Sequence, residues 1–256
     1  LLVFRGADVL ALNLCLLCAT LGSFSLASTL CSPAVKLYLH PFLTCSAATL
    51  GACAAIGAAS GTGWRAALAS YSTSRFGGGM LLSQLMGPTV LSFAFQLYSY
   101  RQQLRRRATQ ILGTAVLGSL ASMLTSAAAA RLLGLAPVLR LALFGRSTIS
   151  ALAMEACKIL GVEPPALGLL AAFLTGLLGL PLGKPLLARL KAKDPAVRGL
   201  ALVGAAHGGG LLALSDEREA FPFAALMMNL SAACTVVLLS VPIVRRVLLA
   251  VALGKA

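Results

Sequence analysis

Ala205-Ala206-His207-Gly208-Gly209-Gly210 sets an imidazole and three successive glycines inside an otherwise apolar segment. Imidazole can donate or accept a hydrogen bond, and glycine lets a ligand approach the exposed backbone N–H and C=O groups. A second set has the same character: Phe144-Gly145-Arg146-Ser147-Thr148, running on to Glu155. Here Gly145 can end one half-helix, and Ser147 or Thr148 can cap the next by accepting its free N–H groups. A half-helix start carries unpaired donors and a partial positive charge, which suits a carboxylate. Arg146 adds a planar fork that fits a carboxylate bidentately, or it snorkels to an interface. Substrate contact is therefore expected from Arg146, Ser147, Thr148, His207, Gly208, Gly209 and Gly210. Glu155 stands two helical turns beyond Thr148, where it can take a proton for coupled transport or pair with Arg146 or Lys158.

The elements that position these groups must be membrane helices. The chain has 256 residues, 59% of them hydrophobic and 11% charged, with a mean hydropathy of +0.91. Soluble domains carry roughly 25% charged residues. A crossing needs about 20 apolar residues, and apolar segments lie at 8–31, 41–60, 79–98, 108–134, 137–160, 165–188, 196–214 and 220–241. An all-α polytopic bundle follows, with two discontinuous helices near 145–150 and 207–210 facing each other at the midplane. Unwound backbone at membrane depth is tolerated where protein or a water-filled cavity surrounds it, and in secondary transporters such breaks mark the substrate site, often within an inverted repeat. No such repeat is visible in the residues themselves. Gly87-Pro88 predicts a further helix break, with either plain bending or gating as its consequence. Asp194-Pro195 reads as an N-cap and first helical residue. Gly57 to Gly61 and Gly179 to Gly183 have the small-xxx-small spacing of close helix packing, while 61–78 reads as a loop.

The net charge of +14 comes from 21 Lys and Arg against seven acids, and it gathers in loops such as Arg101 to Arg107. That is the pattern of loops held against anionic headgroups, and no basic face is interleaved with stacking aromatics, so nucleic acid is not a partner. If all eight segments cross, the basic loops at 101–107 and 184–198 fall on opposite sides, against the positive-inside rule. Either one segment is re-entrant or the rule is weak here. Asp216-Glu217-Arg218-Glu219 reads as a solvated loop, Asn229 as a packing residue, and the stretch with Arg245, Arg246 and Lys255 as a basic amphipathic tail.

Enzyme chemistry finds no constellation. His40 and His207 lie in separate segments without metal-ligand spacing, and neither a nucleophile elbow nor an HExxH is present, so no metal, cofactor or catalytic residue is expected. The seven cysteines lie mostly in apolar runs, and Cys15-Leu-Leu-Cys18 has no redox context, so they read as packing residues. The chain opens at Leu1 without a methionine, which reads as a fragment or a processed form.

Arg146-Ser147-Thr148-Ile149 through Met154-Glu155, Lys193-Asp194-Pro195-Ala196-Val197-Arg198-Gly199, and Ala206-His207-Gly208 together resemble the LrgB/CidB membrane-protein family. Phe221-Pro222-Phe223 and Ser240-Val241-Pro242-Ile243-Val244-Arg245 look more like its plastidal glycolate/glycerate translocator branch. The resemblance is good over 79–250 and loose over 1–78, implying amino-terminal membrane helices at 1–78 and an LrgB-like transport domain at 79–256. It implies transport of small 2-hydroxy- or 2-oxo-monocarboxylates and, in the plastid branch, exchange of the 2-hydroxy-monocarboxylates glycolate and glycerate across the chloroplast inner envelope in photorespiration. The alternative is a channel or regulatory protein of a bacterial plasma membrane, controlling murein hydrolase export or moving pyruvate. The implied partners are a small carboxylate and the lipid bilayer, with room for a homo-oligomer and for an LrgA-like partner or region. The chain departs from the family pattern at Ser150-Ala151, where bacterial relatives often have Thr-Pro, and at Gly209-Gly210.

Overall fold

The computed structural model describes residues 6–31, 41–75 and 77–254. His40 and Lys255 lie outside them. The described secondary structure is helical, and the contacts divide the chain into two units, Leu1–Thr89 and Val90–Ala256.

The first unit contains α1 (Gly6–Leu30), α2 (Pro41–Ala59), α3 (Trp64–Thr73) and α4 (Gly78–Gln84). Its helices are joined by small residues and buried polar groups, as suits packing in a solvent as apolar as the side chains. Thr20 hydrogen-bonds Thr49 (2.8 Å) and Tyr71 (3.0 Å), and the Asn13 amide donates to Ser70 (3.2 Å). The stretch expected to be a loop at 61–78 is largely α3. The Gly57 to Gly61 spacing serves a turn, since Gly57 backs onto the Gly63 and Trp64 backbone and Gly61, at φ +68°, lies beyond the helix. The break expected at Gly87-Pro88 falls at Leu85, between α4 and α5 (Met86–Ser99). Pro88 thus occupies the first turn of α5, where no intrahelical N–H is needed.

The second unit continues through α6 (Arg101–Arg106), α7 (Ala108–Leu132), α8 (Pro137–Ala142) with a 3-10 turn over Leu143–Ser147, α9 (Ser150–Ile159), α10 (Ala166–Arg189), α11 (Pro195–Ala213), α12 (Phe221–Ser240) and α13 (Pro242–Leu253). At 25, 24 and 20 residues, α7, α10 and α12 are long enough to cross.

The segments between them turn back. From α8 to α9 the chain forms a first hairpin: Leu141 and Ala142 share a buried cluster with Cys157, Leu160 and Val162, and the Gly145 α-carbon faces Ala153. α11 forms a second. Seven helical stretches among the described residues are long and apolar enough to cross a membrane, and Pro195–Ala213 is one of them. Yet Arg198 in its first turn bonds Glu217 beyond its last (2.6 and 2.7 Å), and a side chain at Gly210 would press on the Leu202 carbonyl (2.7 Å). A straight helix of this length would separate its ends by roughly 28 Å. The chain reverses at His207, whose φ of 47° and ψ of −122° leave the helical region.

This corrects the expectation of crossings at 137–160 and 196–214. It also brings the two basic loops to one end, because Arg107 ion-pairs with Asp194 (3.1 Å). From this basic end α7 crosses, the first hairpin enters from the far end and returns to it, α10 crosses back, the second hairpin enters from the basic end, and α12 crosses again. At the far end α13 packs on α7 and on the base of the first hairpin, where Arg140 donates to the Ala252 carbonyl (3.1 Å). α7 with the first hairpin and α10 with the second are two copies of one motif in opposite orientation.

Candidate functional site

The tip of each hairpin reaches the middle of its neighbours. In the first, the 3-10 turn ends at Ser147 and the chain runs extended through Thr148 and Ile149 before α9 starts. The expected cap does not form: Ile149 holds the N-cap position without a side-chain bond, and Thr148 instead donates to the Gly145 carbonyl (2.8 Å), closing the 3-10 turn. The first N–H groups of α9 thus have no side-chain acceptor. Ser147 meets Ser122 of α7 (2.6 Å), and both Ser147 and Thr148 are buried.

In the second hairpin, the expected Asp194 cap is present: its carboxylate accepts from Ala196 (2.6 Å) and Val197 (3.3 Å), with Pro195 next. The first arm runs beside α12, with Gly199 against Ala220 and Ala224 and Gly204 against Met227. Against α10, Gly183 faces Leu202, Gly179 faces Ala206 and Gly176 faces Gly209, so the expected close approach at Gly179 and Gly183 is present and continues to the tip. His207 is buried there, its Nε2 donating to the Met228 carbonyl (3.2 Å). The three glycines differ in environment. Gly209 and Gly210 are pressed on the backbone of Gly176 and Leu202, and only Gly208 faces open space.

Arg146 connects the tips. Its Nε donates to Ser126 of α7, and its Nη1 reaches the Ala205 carbonyl (3.3 Å), two residues before the reversal. Arg146, Ser147, Thr148, His207 and Gly208 thus belong to two facing tips. Glu155 lies apart from them on the returning arm, half-exposed and paired with Lys158 (2.6 Å).

Residues missed in the sequence complete the surroundings. Ser119, Ser122 and Ser126 mark one face of α7 at helical spacing, a polar stripe in an apolar helix that could have been read directly. Ser119 donates to the Ser231 carbonyl (3.3 Å), tying α7 to α12 at the same depth. Asn229 donates to Gln96 (3.3 Å), while its Oδ1 and the Thr235 hydroxyl are buried without a hydrogen-bond partner.

The open end of the second hairpin is held by charge. Arg198 grips Glu217 with two donors and spends a third on the Ala192 carbonyl (3.0 Å), and Lys184 of α10 pairs with Asp216 (2.5 Å). Hydrogen bonds from Arg198 hold the Glu217 carboxyl below its ordinary value, as Arg107 does for Asp194 and Lys184 for Asp216. Arg198, Asp216 and Glu217 line a cavity of about 420 Å³ with Lys193, Arg218 and Glu219, at the basic end and away from the tips. The described cysteines are free thiols, and the described residues contain no group of three His, Cys, Asp or Glu that could hold a metal.

Comparison with known proteins agrees with the motifs. The sequence pattern of the LrgB-like family matches residues 20–245. The chain is similar to the plastidal glycolate/glycerate translocator 1, chloroplastic, of Arabidopsis thaliana, at 34% identity over 92% of this chain and 47% of the relative. It is similar also to YwbG of Bacillus subtilis, at 31% over 55% of this chain and 61% of the relative, and to the antiholin-like protein LrgB of Bacillus cereus, at 28% over 52% and 58%. The chain spans about half to three fifths of the length of these relatives. No solved structure matches it. The helical membrane fold, the two motif-bearing hairpins and a family match covering most of the chain agree: this protein belongs to the LrgB-like family.

Proposed function

We propose that this protein is a carrier that exchanges small 2-hydroxy-monocarboxylates, glycolate and glycerate among them, and that it does so across the chloroplast inner envelope in photorespiration. The observation that carries the reading is the meeting of two hairpin tips that enter from opposite ends, with Arg146 reaching from one tip to the Ala205 carbonyl of the other. A ligand held there is bounded on each side by a different hairpin, which is what alternating access requires. The Arg146 fork and the open N–H groups of α9 supply donors for a carboxylate. The name of the Arabidopsis relative supports the glycolate/glycerate pair and the chloroplast. Glu155 receives no coupling role in this reading, being half-exposed and already ion-paired.

Liposomes preloaded with glycerate and supplied with labelled glycolate test it. Saturable uptake that depends on the internal acid is expected, and Arg146→Ala should raise the half-saturation concentration about 10- to 100-fold, as loss of a charge-assisted hydrogen bond does. The bacterial relatives named antiholin-like favour a second reading, a pore or regulatory component. Uptake that neither saturates nor responds to internal glycerate would support that one instead.

A further inference from the structure

The cavity at the open end of the second hairpin carries charge that the fold itself does not use. Six charged residues line it: Lys193, Arg198, Asp216, Glu217, Arg218 and Glu219. Half of them are committed. Asp216 is paired with Lys184, and Glu217 with Lys184 and Arg198. Each of the three guanidinium nitrogens of Arg198 already donates, two to Glu217 and one to the Ala192 carbonyl. Lys193, Arg218 and Glu219 remain, and among the described residues none of them has an ion pair or a side-chain hydrogen bond. Two cations against one acid leave the uncommitted lining with one net positive charge.

The place of these cations is as telling as their number. Lys193 stands just before α11 and Arg218 between α11 and α12, so they come from opposite ends of the second hairpin. The cavity also touches Pro195, the first residue of α11, and Ala220, the residue before α12. At this same end α7 starts and α10 finishes. The cavity therefore sits where crossing helices emerge, at the level of the lipid headgroups. Two unpaired cations lining one cavity repel each other unless an anion lies between them.

We propose that this cavity is a headgroup site for an anionic phospholipid, whose phosphate lies between Lys193 and Arg218 and so ties together the two ends of the second hairpin. Basic pockets among the ends of membrane helices bind anionic headgroups. Arginine supplies a planar fork for two phosphate oxygens, and lysine a mobile point charge. A phosphodiester with a single negative charge balances the uncommitted lining, and Glu219 offers an acceptor to a hydroxyl beside it. Phosphatidylglycerol has both features. Phosphatidylcholine has no net charge and no hydroxyl in its headgroup. The arginines of α6 meet the headgroup layer as a whole, whereas these two cations share one cavity. It lies away from the tips, so the site exists whichever solute the tips bind.

The test is a lipid titration of the purified full chain in detergent, read by melting temperature and by native mass spectrometry of retained lipid. Phosphatidylglycerol should be retained and should raise the melting temperature above that in equal phosphatidylcholine. Lys193→Gln or Arg218→Gln should raise the half-saturating phosphatidylglycerol concentration about tenfold, as loss of one charge-assisted hydrogen bond does. Arg105→Gln removes an exposed cation of α6, outside the cavity, and should leave that concentration unchanged. All three side chains are exposed, so the variants keep the fold. Where one melts too low to titrate, the retained lipid reads the same ratio. An equal loss in all three variants would mean attraction spread over the whole basic end and would overturn the site. The same rise from inorganic phosphate at constant ionic strength would assign the cavity to a soluble anion and overturn the lipid. Phosphatidylglycerol that acts no differently from phosphatidylcholine would overturn both.

Discussion

Gly208→Ala and Gly209→Ala are neighbouring substitutions of identical chemistry, and the hairpin geometry sends them in opposite directions. A Cβ at Gly208 meets nothing within 4 Å. One at Gly209 collides with the Gly176 carbonyl oxygen of α10 and lies 2.5 Å from its carbon and 2.7 Å from its α-carbon. Both sides of that contact are backbone, so no side chain can swing away, and the hairpin tip must retreat from α10 by about 1 Å or more. Overpacking of this kind costs about 3 kcal/mol, at the upper end of the usual range. Replacing a helical glycine by alanine returns about 0.5–1 kcal/mol at either position. Gly208→Ala should therefore be neutral or slightly stabilising, and Gly209→Ala should cost about 2 kcal/mol or more. At about 2–4 °C per kcal/mol for a chain of this size, the two melting temperatures should differ by roughly 6–12 °C. The assay is thermal unfolding of the purified protein in detergent, followed by tryptophan-independent light scattering or thiol labelling of buried Cys157. Melting curves for the two variants that coincide within about 2 °C would refute the packing of the second hairpin on α10, and with it the depth assigned to His207.

The same geometry makes three further predictions. In a background without the natural cysteines, Arg105→Cys and Lys193→Cys should be labelled by an impermeant thiol reagent from one face of the membrane, and Glu163→Cys and Arg246→Cys from the other; labelling of 105 and 193 from opposite faces would mean that the 137–160 segment crosses. Glu217→Gln should cost about 1–2 kcal/mol, between an exposed ion pair and a buried charged hydrogen bond; because Arg198 depresses the Glu217 carboxyl in the folded state, its contribution is present above the ordinary value of 4.5 and is lost as pH falls through the folded value, so the wild type should lose melting temperature more steeply than the variant below about pH 4.5, and equal slopes would count against the pair. His207→Gly should melt higher than His207→Ala by about 1 kcal/mol, since both lose the ring and only glycine relieves the positive φ; the reverse order would place the strain elsewhere.

Much of the local structure was legible in the residues. Asp194-Pro195 announces a helix start by cap chemistry that does not depend on surroundings, and the Asp194 carboxylate does accept from Ala196 and Val197. Three glycines after His207 announce a break, and Gly179 with Gly183 announce a close approach. What could not be read was direction. Hydropathy measures composition and length, and nineteen apolar residues satisfy it whether the chain continues past His207 or turns back. The pairing of Arg198 with Glu217 and the close approach of Gly210 to Leu202 separate the two cases, and both are tertiary facts. The cap at the first tip failed for a related reason: Thr148 has two backbone partners within reach, and the carbonyl it closes upstream leaves Ile149 at the helix start.

The inverted repeat escaped for a different physical reason. Two motifs related by a reversal across the membrane share a backbone path, crossing helix then hairpin, but their tips face each other and must be complementary rather than alike. One tip carries the fixed donors of Arg146, held by Ser126, and a helix start left uncapped. The other carries the buried His207 ring and a run of glycines, two of which are consumed by contact with α10 and the first arm. Their open ends differ as well: the Arg198, Glu217, Lys184 and Asp216 pairs fasten the second hairpin at the basic end, whereas Arg140 fastens the first to the α13 backbone at the far end. Complementarity at the centre and different charge at the two membrane faces require different side chains in the two motifs while the path stays the same. The symmetry is therefore expressed in topology, and Arg146 reaching the Ala205 carbonyl is where the two unlike halves meet.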